Sequence, residues 1–141
     1  MLEPIRRLDS VVGGKTQRER LGQRAEEMKD STDGGTGLYD TALAAYRYAV
    51  QKYDENYSNS VILLTDGSND DPGSISARML LHRLRALADP QRPVRIIGVA
   101  VSEDADLAEI QRIAAATGGS AYRADTSEDL LRVFAQEIAG R

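Results

Sequence analysis

The sequence contains no cysteine. Disulfides, zinc–thiolate sites, iron–sulfur clusters and cysteine nucleophiles are thereby excluded, while the compartment stays open because secreted proteins can also lack cysteine. Long hydrophobic runs are missing too. The longest, Ile96–Val101, falls far short of the roughly 20 residues that a spanning helix needs. Net positive charge is absent: 18 Lys plus Arg stand against 22 Asp plus Glu, giving a formal net charge of -4 and a pI of about 5.0. Neither nucleic acid nor an anionic membrane surface is attracted over distance by such a chain. The opening Met1-Leu2-Glu3-Pro4 has an early acid and no apolar stretch behind it, so no signal peptide is visible. Histidine occurs once, as His82 beside Arg78, Arg83 and Arg85. With no nucleophile motif near it, it reads as a solvated surface residue.

What is present is 141 residues, a length for one domain able to bury a core without staples. Arginine outnumbers lysine, the balance of a GC-rich bacterial genome. The pattern divides near Asp30. Residues 1 to 30 form an irregular opening: scattered apolars (Ile5, Leu8, Val11, Val12), a turn at Gly13-Gly14, and a charged surface helix from Thr16 to Lys29. Residues 31 to 141 are regular. A loop, Ser31 to Gly37, precedes a helix from Leu38 to Tyr53 whose Tyr39, Leu43, Tyr46, Val50 and Tyr53 make one core-facing stripe. Val61–Leu64 is a continuous apolar run closed by Asp66-Gly67, as in a parallel strand buried on both faces. Ser74 or Ser76 caps a helix to about Ala88, and Val94–Val101 makes a second strand. Asp104 or Asp106 opens a helix through Ala116, stopped by Gly118-Gly119. Ala121–Ala124 makes a third strand, and Thr126 or Ser127 caps a last helix to Ala139. Alternating strands and helices predict an α/β fold in three layers, a mostly parallel sheet with helices on both faces.

In sequential strand order, Val61–Leu64 lies at an edge, and nothing in its composition blunts that edge. A neighbouring strand is therefore expected, making this stretch an interior piece of a wider sheet. The candidates are residues 2 to 13, a polypeptide outside this chain, or a second copy forming a homodimer.

Ligands of parallel α/β sheets gather at the carboxyl ends of the strands. Asp66 leaves the end of the first strand, and Thr36 sits in the glycine loop before the preceding helix. Glycines 34, 35 and 37 let backbone approach closely, and a hydroxyl with a carboxylate suits a hard divalent cation, magnesium, calcium or manganese. The competing reading makes Thr36 a helix cap and Asp66 a loop brace. Ser68, Asn69 and Asp70 are candidates for the rim of the same site. The stretch Ser68 to Gly73 has the composition of a calcium loop, but Pro72 and the lack of a closing glutamate break that pattern.

Gly34-Gly35-Thr36-Gly37-Leu38-Tyr39-Asp40, followed by Val61-Ile62-Leu63-Leu64-Thr65-Asp66-Gly67, resembles the later part of a von Willebrand factor type A domain. Ile97–Val101, Thr117-Gly118-Gly119-Ser120-Ala121-Tyr122 and the closing helix with Leu131 and Phe134 continue the likeness to about residue 140. The resemblance implies the Rossmann-like fold of that family and a non-enzymatic module mediating protein–protein or ligand adhesion, frequently outside the cell. It also implies a metal-ion-dependent adhesion site in which Thr36 and Asp66 hold a divalent cation, Mg or Ca, with an acidic side chain of the partner completing the shell. The family's Asp-x-Ser-x-Ser motif is found nowhere in this chain. The resemblance is thus to an incomplete domain, and metal affinity of the chain alone is expected to be weak or nil. Binding of a protein partner is expected either at the metal site or by strand addition along Val61–Leu64. A bare, solvent-washed margin at that stretch would collapse the case for a halved adhesion module.

An alternative is a magnesium-dependent phosphatase. Asp66-Gly67-Ser68-Asn69-Asp70 is similar to the Asp-Gly-x-Asn-Asp motif of haloacid dehalogenase-type enzymes, but Asp30-Ser31-Thr32-Asp33 has neither the spacing nor the strand of their nucleophile loop.

Overall fold

The computed structural model describes residues 3–28 and 36–139. The chain divides into two compact units, Met1–Gly34 and Gly35–Arg141.

The first unit holds a hairpin and a helix. Strands β1 (Val11–Val12) and β2 (Lys15–Thr16) pair antiparallel. Gly13 and Gly14 have φ of 63° and 80°, the left-handed pair that a tight two-residue hairpin turn requires. Residues 11 and 12 therefore pair within their own hairpin. Helix α1 (Gln17–Met28) starts in a reciprocal cap: the Thr16 hydroxyl accepts from Glu19 N–H at 3.2 Å, and the Glu19 carboxylate accepts from Thr16 N–H at 2.7 Å. Those bonds hold the Glu19 carboxyl below its usual range. The predicted surface helix is present, with Leu21 42% exposed.

The second unit contains the core. Its elements run α2 (Leu38–Gln51), β3 (Asn59–Thr65), α3 (Ala77–Leu87), β4 (Val94–Ala100), α4 (Leu107–Ala115), β5 (Ala121–Arg123) and α5 (Ser127–Ala139). The three strands form a parallel sheet in the order β3-β4-β5, with Ile62 opposite Ile97 and Val99 opposite Tyr122. Strand alternation splits β4 between two cores. Val94 and Ile96 face Leu38, Leu43, Tyr46, Leu80 and Leu84 of α2 and α3, whereas Ile97 and Val99 face Val133 of α5. Helices cover both faces, as the alternating pattern implies.

The caps follow the predicted alternatives. Ser76 caps α3, its hydroxyl accepting from Met79 N–H at 3.3 Å. Asp106 caps α4, accepting from Glu109 N–H at 2.9 Å. Thr126 and Asp129 form a second reciprocal cap at α5. The two glycines after α4 serve different ends. Gly118 takes φ of 72° to stop the helix, while a Cβ on Gly119 would lie 1.9 Å from the Ile96 carbonyl oxygen. That close approach seats the α4–β5 turn on β4.

One expectation about the sheet is not met. β3 lies at the margin, and none of the described residues pairs with its outer edge. Residues 11–12, the end of the candidate stretch 2 to 13, pair with β2 in their own hairpin. Ile62 and Leu64, on the α5 side, are 45% and 46% exposed.

Candidate functional site at the carboxyl ends of the strands

The loop after β3 meets the start of α2. The N-cap of α2 is Gly37, which has no side chain to satisfy the helix's first N–H groups. The loop supplies the acceptors instead. Asn69 Oδ1 accepts from Tyr39 N–H at 3.1 Å. Asp70 Oδ1 accepts from Thr36 N–H, and Asp70 N–H returns a bond to the Thr36 carbonyl at 3.2 Å. In the reverse direction, Asp40 Oδ2 accepts from Ile75 N–H at 3.2 Å. Loop and helix start thus cap each other.

These bonds sort the predicted residues. Asn69 and Asp70 spend acceptor oxygens on backbone. Thr36 is not a cap, since α2 has no side-chain cap bond; its hydroxyl lies 3.7 Å from where a Cβ of Gly67 would stand. The structure therefore brings the Thr36 hydroxyl to the residue after Asp66. Asp66 and Ser68 are exposed. The Asp66 carbonyl accepts from the Ser102 hydroxyl, while Arg123 Nη1 donates to the Ser102 carbonyl at 2.6 Å. Arg123 also stands 3.8 Å from Asp125. Of the predicted Ser31–Gly37 loop, residues 31–35, including Gly34 and Gly35, lie outside the described residues, as does the Asp30–Asp33 stretch.

Tyr39, expected only as part of the core-facing stripe, also donates its hydroxyl to Glu109 and ties α2 to α4. Burial, reinforced by that carboxylate, pushes its pKa up to about 12. Sequence reasoning missed Asp40, Ser102 and Arg123. Glycine at the α2 N-cap is the one signal that pointed this way, because it demands outside acceptors.

A metal fits this donor set poorly. Among the described residues no three acidic or histidine side chains gather in a way that could hold an ion. Thr36 and Asp66 leave most of a hard cation's six or more oxygen positions to other molecules.

Parallel strands, helices on both faces and a polar loop cluster at the strands' carboxyl ends define a Rossmann-like α/β domain. Comparison places it further: the von Willebrand factor type A domain family matches residues 11–136, and the chain belongs to that family. Such domains are in general protein-interaction modules without enzymatic activity. Membership does not depend on the uncovered β3 edge. Two Mycobacterium tuberculosis proteins, Uncharacterized protein MT1884 of strain CDC 1551 / Oshkosh and Uncharacterized protein Rv1836c of strain H37Rv, are each 28% identical over 97 residues. That stretch is 69% of this chain but 14% of those proteins. A crystal structure of an uncharacterized membrane spanning protein from Vibrio fischeri aligns with TM-score 0.49 and 20% identity, over 66% of this chain and 52% of that one. No described helix here is long and apolar enough to cross a membrane.

Proposed function

We propose that the protein is a binding module that receives a strand of another polypeptide along the outer edge of β3. The observation that carries this reading is the edge itself: seven residues, Asn59–Thr65, with no charge and no proline. Thr65 turns its carbonyl to Val101 N–H of the inner neighbour at 3.0 Å, so the backbone groups of Ser60, Ile62 and Leu64 point outward. The same strand leaves Ile62 and Leu64 half-exposed. A second copy pairing edge to edge meets the backbone groups but leaves those side chains bare. The fitting partner brings a strand and an apolar element to lie over them.

Thr36 and Asp66 stand at the carboxyl-end rim of this docking place. A magnesium or calcium ion would need oxygens from the incoming polypeptide, Thr36 and Asp66 being the share that the described residues would offer. The phosphatase alternative is not favoured, because Asp70 is committed to the backbone of Thr36; aryl phosphate with magnesium is expected to show no turnover.

Fluorescence anisotropy tests the edge with a labelled extended peptide of alternating valine and threonine. An open edge pairs with an added strand, so the peptide is expected to bind the wild-type chain and to bind Ile62→Lys at least severalfold more weakly, with circular dichroism checking that the variant folds. No binding to the wild type, or equal binding to both, overturns the proposal.

A further inference from the structure

Charge is distributed unevenly over this acidic protein. Between Pro72 and Ser102 stand Arg78, Arg83, Arg85, Arg92 and Arg95 against Asp89 alone, a surplus of positive charge in a chain whose total is -4. Asp89 is already used, accepting from Gln91 N–H at 2.9 Å.

Helix α3 concentrates the effect. It carries no acidic residue. Leu80 and Leu84 are fully buried on its inner side, which turns Arg78, His82 and Arg85, at i, i+4 and i+7, to solvent as one ridge. Met79, 44% exposed, flanks that ridge. Among the described residues neither Arg78 nor Arg85 has an ion-pair partner, whereas Arg112, Arg123 and Arg132 on the following elements each stand within 4 Å of a carboxylate. The acids on the helices packed against α3 are engaged elsewhere. Asp40 takes the N–H of Ile75, and Glu109 takes the Tyr39 hydroxyl.

We propose that the Arg78–His82–Arg85 ridge of α3 is a docking surface for an acidic helix of a partner protein. A guanidinium binds a carboxylate through two parallel N–H bonds, which a surface built for loose charge attraction would not need. Arg78 and Arg85 are two turns apart, about 10.5 Å along the axis. A partner helix with carboxylates at i and i+7 matches that spacing, and an apolar side chain between them covers Met79. Nucleic acid and lipid are poorer fits. Each is an extended polyanion that also meets the chain's net negative charge, and a ridge two turns long neutralises few phosphates.

The test uses the full chain in EDTA, which keeps it separate from any cation-dependent binding. The probes are a labelled alanine-rich helical peptide bearing Glu at i and i+7 with Leu between them, phosphatidylserine vesicles, and duplex DNA. The peptide is expected to bind, to weaken severalfold between ~0.05 and ~0.3 M salt, and to weaken tenfold or more in Arg78→Glu/Arg85→Glu. Arg132→Glu on α5 is expected to leave binding unchanged, and circular dichroism checks that each variant folds. Peptide binding that survives the double reversal, preference for vesicles or DNA, or no ridge-dependent binding at all overturns the proposal.

Discussion

Replacing Asn69 with alanine separates a structural brace from a ligand-site residue. The Asn69 side chain caps α2 from outside, accepting Tyr39 N–H at 3.1 Å where the helix's own N-cap, Gly37, offers nothing. Losing an N-cap acceptor costs about 1 kcal/mol, within a range of about 0.5–2. For a domain of this size that is a fall in Tm of about 4 °C. Asn69→Asp keeps the acceptor and adds negative charge at a helix N-terminus, so it is expected to hold or slightly raise Tm. Ser68→Ala, at an exposed neighbour, is expected to stay within about 0.5 kcal/mol of wild type. Thermal and urea unfolding followed by circular dichroism measures all three. An Asn69→Ala protein as stable as wild type would refute the cap and return Asn69 to the rim of a ligand site.

Gly119→Ala drives a Cβ to 1.9 Å from the Ile96 carbonyl oxygen and is expected to cost at least about 3 kcal/mol. Gly118→Ala meets open space and pays only for its φ of 72°, about 1 kcal/mol; urea unfolding ranks the two. Tyr39, with its pKa raised to about 12 from an ordinary value near 10, favours the folded state fully below pH 10, and that contribution disappears as pH rises from 10 to 12. Ultraviolet titration is expected to find Tyr39 among the late-ionising tyrosines, with Tyr46 raised by burial and Tyr122 by its hydrogen bond to Glu137, and Glu109→Gln brings Tyr39 alone earlier.

Much of the fold was legible because buried strands and capped helices follow from local chemistry. Val61–Leu64 and Ile96–Val101 announced β3 and β4 by apolar runs, but only β4 is buried on both faces, Ile62 and Leu64 of β3 being 45% and 46% exposed where burial on both faces was expected; Ser76, Asp106 and Thr126 each stood at a helix start that the structure confirms. The β1–β2 hairpin was only half visible, because Lys15 and Thr16 also satisfy the start of a helix. Thr36 and Asp66 were singled out by their places within a glycine loop and after a strand. The use of Asn69 and Asp70 as caps was not, because those bonds span 30 and 34 positions and no local pattern encodes them. The neighbour expected for β3 failed for another reason: composition reports that an edge is unprotected, not that this chain protects it.

Amide hydrogen exchange on dilute, monomeric protein tests the open edge most directly. An alternation along one strand is expected, with the amides of Ser60, Ile62 and Leu64 exchanging quickly while those of Val61, Leu63 and Thr65, turned toward β4, persist. Equal protection at all six positions would contradict it, because the edge would then already be paired.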